Sequence, residues 1–316
     1  MDIDVFSPGE MPVVLRALRS VLAPDGPLDD AGRRFLGTYA HICGHEARAE
    51  DVPLIAADRV AVEGAHRRKR LVQLAAMAAL LSRPVTPAAV AYVQALARSL
   101  QVKDSVTGVL AALLKSRRLL VRMLTMRRMF RVMLKEAYTA EGWRGIVRLF
   151  AAMRLHAPVN IDRLAGFKRL GLLAEGTLGR SYWRHMTERG FGFPGEPGGI
   201  PVTVVYHDVG HVLTGHGTDP AGEIQQGSFQ GGNRREDGFV FIQFVLLHFH
   251  QGVRISPAGP PESGHFHPER VLWAIHRGAR LRVDITHQWD YWPLMALPLE
   301  EARRRCGLLP TWNSVS

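Results

Sequence analysis

Cysteine is almost absent. The 316 residues hold two, Cys43 and Cys306, far apart and in no CxxC pair. That spacing excludes a zinc ribbon and a disulfide framework, and predicts a reducing compartment. Acid is also scarce: 29 Asp and Glu stand against 40 Lys and Arg, a formal net charge of +11 that draws the chain to polyanions. No apolar run reaches the roughly 18 residues that span a bilayer. The acidic start MDIDVFSPGEMP lacks the basic and apolar regions of a secretory signal. These absences predict a soluble or peripheral protein of the cytoplasm. Strand signals are sparse throughout.

What remains is helical. Hydrophobic residues make up 47% and charged residues 22%, enough apolar material for buried cores and too little charge for disorder. At about 100–200 residues per domain, two domains are expected, and the fold class is all-α. Residues 1–102 predict a first helical domain. Val14, Leu15, Leu18, Val21 and Leu22 recur at helical spacing up to the turn 24-PDGP-27. A second helix carries Phe35, Leu36, Tyr39 and Ile42. A similar hairpin returns as 71-LVQLAAMAALLS-82, a break at 83-RPVTP-87, and 88-AAVAYVQALARSL-100. This weak repeat, with Asp25-Gly26 at its turn, resembles the tellurite-resistance B-like helical domain over residues 10–102.

Residues 103–139 predict a basic amphipathic connecting helix. In 113-LLKSRRLLVRMLTMRRMFRVMLK-135, Leu119, Met123, Met126, Phe130, Met133 and Ala137 form one stripe; Arg118, Arg122, Arg128, Arg131 and Lys135 lie off it. Such a helix lies on an anionic membrane, binds an acidic partner or calmodulin-like groove, or packs its stripe on a neighbouring domain and solvates its arginines. Nucleic acid is not expected, because no DNA- or RNA-binding motif accompanies the charge.

The second domain, 140–316, contains 206-YHDVGHVLTGHGTDPAGEI-224. His207 and His211, at i and i+4, share a helix face and can reach one ion. Gly215 and Gly217 end that helix, and Asp219-Pro220 reads as the cap and first residue of the next, with Glu223 on its first turn. Two histidines and a glutamate are thereby expected to converge on a divalent metal, Zn2+ foremost, with Fe2+ compatible. Asp208 points about 100° from His207 on an ideal helix. It either completes the ligand set or orients a histidine or bound water. His216, His248, His250, His265 and His267 show no convergent spacing and read as loop or packing histidines.

The pattern HDxxH-(x)11-E, present as His207, Asp208, His211 and Glu223, resembles that of the coenzyme Q (ubiquinone) biosynthesis protein acting at ring carbon 1. Segments 176-GTLGRSYWRHMTERGF-191 and 293-PLMALPLEEARRRCGLL-309 extend the resemblance over residues 140–316. It implies an all-helical, membrane-associated protein in which all four residues are metal ligands and catalytic. It further implies a prenylated aromatic lipid substrate that loses its C1 carboxylate, in an oxidative version with hydroxylation. Other quinone-synthesis enzymes are implied partners, and a homodimer is left open. Two features depart from the family pattern: His216, and the polar, glycine-broken stretch 225-QQGSFQGGNRRED-237 where an apolar helix is expected along a prenyl tail. Two rivals stand beside this reading. One is a non-catalytic lipid- and metal-binding scaffold. The other is an HD-domain phosphohydrolase, whose HDxGH element 207-HDVGH-211 imitates and whose further ligands would be His185 and Asp237 or Asp284.

Overall fold

The computed structural model describes residues 1–147, 161–194, 196, 204–256, 259–287 and 289–310. The fold is all-α; among the described residues there is no strand, only two isolated bridges, Thr177 with Pro298 and Gln251 with Ser263. No helix among these residues is long and apolar enough to cross a membrane.

The N-terminal helices form where the apolar spacing places them: α1 (Met11–Leu22), α2 (Asp30–Ile42), α3 (Ala65–Leu81) and α4 (Pro87–Ser99). Asp29 caps α2 by accepting from the Gly32 N–H at 2.7 Å, and Thr86 caps α4 through Ala89 at 3.2 Å. Residues 71–80 of α3 are buried without interruption, as expected of a helix at the centre of a core.

The single basic helix expected over residues 103–139 is instead two elements, α5 (Val106–Leu114) and α6 (Arg118–Glu141). Ser116 takes a left-handed conformation, φ 53°, and its N–H bonds the Leu113 carbonyl while Arg117 bonds Ala112. That is a helix-ending turn built without glycine, so no glycine announced it. The orientation of α6 also departs from the packing expectation. Val121, Thr125 and Arg128 face inward, while Leu119 is 82% and Met123 60% exposed. Arg128 does not face solvent or lipid. Its guanidinium grips Asp237 at 2.6 and 2.7 Å and Asp104 at 2.6 and 3.2 Å. Lys135 pairs with Glu236 at 2.6 Å.

The remaining helices are α7 (Ile161–Arg169), α8 (Leu178–Glu188), α9 (Val205–Thr214), α10 (Pro220–Asn233), α11 (Phe239–Phe249), α12 (Pro268–Ala279), α13 (Trp292–Met295) and α14 (Leu299–Cys306). The glycine-rich stretch after Glu223 is not a break but the body of α10, buried almost throughout. Its glycines admit neighbours at backbone distance. A Cβ at Gly227 would run into Val245 of α11, and one at Gly232 into the Ile275 carbonyl of α12.

Two large apolar clusters result. One joins α1–α5 to Ile224, Phe239, Ile242, Leu246, Leu272 and Ile275, so residues of the 1–102 segment and of α10–α12 share a core. Phe35 meets Phe266 edge to face, and His250 donates to the Leu81 carbonyl at 3.1 Å. The other gathers Phe167, Tyr182, Met186, Val205, Val209, Leu213, Met295 and Ala302 from α7, α8, α9, α13 and α14. Helix α9 belongs to the second cluster, while α10 gives Ile224 to the first and Phe229 to a small third one with Ala274 and Ile285. The stretch that drew attention in the sequence lies where they meet.

Candidate metal centre

Gly215, left-handed at φ +74°, ends α9, and its N–H closes on the His211 carbonyl at 2.9 Å. Four residues later Asp219 occupies the cap position of α10, with Pro220 in the first turn; its side chain makes no capping bond, and the Glu223 N–H bonds its backbone carbonyl at 2.8 Å. The short reversal aims the first turn of α10 at the face of α9 that carries the histidines.

His207 Nε2 and His211 Nε2 stand 3.2 Å apart. Glu223 offers Oε2 to His207 at 3.3 Å and Oε1 to His211 at 3.4 Å. The three residues are the group, among the described residues, whose donor atoms gather within 4.8 Å of one another as a metal requires. The spacing fits an ion: donors about 2.1 Å from a tetrahedral centre stand about 3.4 Å apart. The outer nitrogens fit it too. His207 Nδ1 faces Gln230 Oε1 at 3.2 Å and His211 Nδ1 faces the His216 carbonyl at 3.1 Å. Both acceptors suit the tautomer with hydrogen on Nδ1, which leaves the Nε2 lone pairs facing each other in a set that could hold a metal ion.

The electrostatics agree. Burial alone would raise the Glu223 carboxyl, but the bonds and charges of His207 and His211 outweigh it and hold it at about 2. Burial opposes protonation of His207, yet Glu223 and then Asp208 raise its pKa. The pocket stabilises positive charge between these atoms.

Asp208 is not one of the gathered donors. It is buried one residue along α9, and burial raises its pKa against the pull of the two histidines. Tyr182 of α8 feels its charge: burial first, then Asp208, push that hydroxyl up. His216 stands outside the gathered donors. Its Nδ1 meets Gln226 at 3.1 Å, and its Nε2 accepts from Arg277 at 3.3 Å. His248 and His250 are packing histidines that accept from the Ile255 and Phe266 N–H groups.

Three further residues stand beside the cluster: His185, the upstream histidine of the phosphohydrolase reading, and Tyr182 and Gln230, to which the sequence assigned no role. His185 of α8 stacks on His211 with ring centroids 5.8 Å apart, and its Nε2 is buried without a partner. The Tyr182 hydroxyl and Gln230 Nε2 are likewise buried and unpartnered. Gln230 lies seven residues after Glu223, two turns along the same face of α10, and that spacing was the available signal. Asp237 and Asp284, the carboxylates a phosphohydrolase would need, are engaged elsewhere: Asp237 by Arg128, and Asp284 by the Thr286 N–H and hydroxyl at 2.9 and 2.6 Å.

No family model and no curated protein matches the chain. The geometry and the motif therefore carry the functional argument.

Proposed function

We propose that the protein is a metal-dependent enzyme that removes the C1 carboxylate from a prenylated 4-hydroxybenzoate derivative. The observation behind the proposal is the convergence of His207, His211 and Glu223 within the HDxxH-(x)11-E pattern. Three protein donors leave a coordination position for substrate, the arrangement of a catalytic rather than a structural zinc site.

His207, His211 and Glu223 would hold a divalent ion, Zn2+ foremost, which would supply Lewis acidity toward the substrate's carboxylate or phenolate oxygen. The chain's own residues do the rest. Gln230 and the His216 carbonyl lock the two imidazoles by their Nδ1 hydrogens. In the reaction the bond from C1 to the carboxylate breaks, its electron pair stays on the ring, and a proton replaces CO₂. Asp208, buried beside the histidines with its pKa raised by burial, is the carboxyl suited to bring that proton. Tyr182, neutral and buried near Asp208, limits water around it.

The test is metal quantification on purified protein, paired with CO₂ release from a prenylated 4-hydroxybenzoate. Metal at one ion per chain with turnover lost in His211→Ala supports the proposal. Metal-loaded protein that binds the lipid without releasing CO₂ replaces it with the scaffold reading. Full metal occupancy in folded His211→Ala ends the metal site altogether.

A further inference from the structure

Helix α6 sits inside out. Its inward face is built from Val121, Thr125 and Arg128, and the last of these spends its charge on Asp104 and Asp237. Its outward face is the apolar one: Leu119 is 82%, Met123 60%, Met126 40% and Met133 38% exposed. At 100° per residue these four fall on one stripe. Arg118 and Arg122 flank it on one side, Arg127 and Arg131 on the other, and all four are exposed. Near the C-terminal end Tyr138 and Trp143, both exposed, meet edge to face at 5.9 Å. Soluble proteins rarely leave a contiguous apolar ridge open to water, and such ridges mark interaction surfaces.

The charges choose the occupant. The stripe has a spacing that suits a coiled coil with a second copy of this chain. From Arg118 through Lys135, however, the helix carries no acidic residue. A second copy would therefore lay arginine rows against arginine rows. An anionic lipid surface answers every one of those charges and takes up the ridge between them, with the arginines reaching outward along their aliphatic stems. Aromatic side chains such as Tyr138 and Trp143 favour the same interface.

We propose that the outer face of α6 is a membrane-contact surface: the helix lies in the plane of an anionic bilayer, its Leu119–Met133 ridge in the acyl boundary and its four flanking arginines on phosphate head groups. The surface is independent of the metal chemistry, so its test is separable from that of the proposed reaction.

Full-length protein is sedimented with phosphatidylcholine vesicles, with and without phosphatidylglycerol, across a salt series. Binding is expected only with phosphatidylglycerol, falling as the Debye length shrinks from about 8 Å at 0.15 M to about 3 Å at 1 M. The variant L119S/M123S/M126S should bind about tenfold more weakly or worse. R122Q/R127Q/R131Q should lose the preference for anionic vesicles. All six positions are exposed, so thermal melts should match the parent, and circular dichroism checks this. Failure of the parent to bind phosphatidylglycerol vesicles overturns the proposal, as does unchanged binding by both variants. A dimer in sedimentation equilibrium that the serine variant dissolves also overturns it and gives the face to a second copy.

Discussion

Gln230 meets His207 with one end and nothing with the other: Oε1 faces the ring nitrogen at 3.2 Å and Nε2 is buried without a partner. Gln230→Leu should lower metal affinity 10–100-fold, about the usual effect of removing a partner behind a metal-bound histidine, and competition with a chelator measures it. His207→Ala, His211→Ala and Glu223→Ala each remove one of three donors and should leave little metal on the purified protein. Asp208→Asn should separate from these, keeping metal while CO₂ release falls, since Asp208 stands outside the gathered donors. Metal loss equal to that of His211→Ala would return Asp208 to the ligand set. The triad was legible because i, i+4 histidines and a proline-started helix fix geometry locally. Asp208 was not, because its neighbours come from α8, and no local spacing says which helix will lie across from it. His185 was visible as a letter, but its stacking on His211 is a tertiary fact.

At the level of helices, α10 depends on being thin. Gly232→Ala would press a methyl into the Ile275 carbonyl and should destabilise the protein by about 1–3 kcal/mol, read by chemical denaturation. Because α10 also carries Glu223 and Gln230, the same substitution should weaken metal binding, whereas the solvent-facing Gly37→Ala should do neither. In the sequence the glycines resembled interruptions; only the approach of α11 and α12 shows them to be contacts. Arg128 supplies a second test. It is buried between two carboxylates, its pKa raised by them against burial and that of Asp104 lowered in turn. Arg128→Ala leaves buried carboxylates unpaired and should cost about 3–5 kcal/mol of stability. Helical periodicity marked the basic segment as helical but showed neither the break before Arg118 nor which side of α6 faces in, since a helix can bury a charged row when matching acids await it.

For the molecule as a whole, acid is the expected weakness. His250 joins the end of α3 to the residue 266 loop as a neutral ring, giving a hydrogen to Leu81 and accepting one from Phe266. Burial, then the Arg83 charge, hold its pKa down at about 4. The unfolded chain takes up that proton near pH 6.5. Stability from His250 is thus complete above about pH 6.5, declines as pH falls, and is gone near pH 4, a loss of about 3 kcal/mol. His185 at about 4 and His216 at about 3 act in the same sense. Urea unfolding at pH 7, 5.5 and 4 should show this slope, and His250→Gln should reduce it. The helical class and the four N-terminal helices could be foreseen. The core they share with α10–α12 could not, because it pairs residues more than 150 positions apart.

The seam between the two clusters has a mechanical meaning. Histidines rooted in one core and a glutamate rooted in the other would make a bound ion a bolt across a hinge. With the bolt drawn, α9 and α10 keep a five-residue strap and the bonds of Gln226 to Thr214, His216 and the His207 carbonyl, so the two halves can lose order at different temperatures. Calorimetry of chelated protein should resolve two transitions where the metal-loaded protein melts in one. Amide exchange should quicken first along the strap from Gly215 to Asp219, well before the interior of α3 gives up its protons.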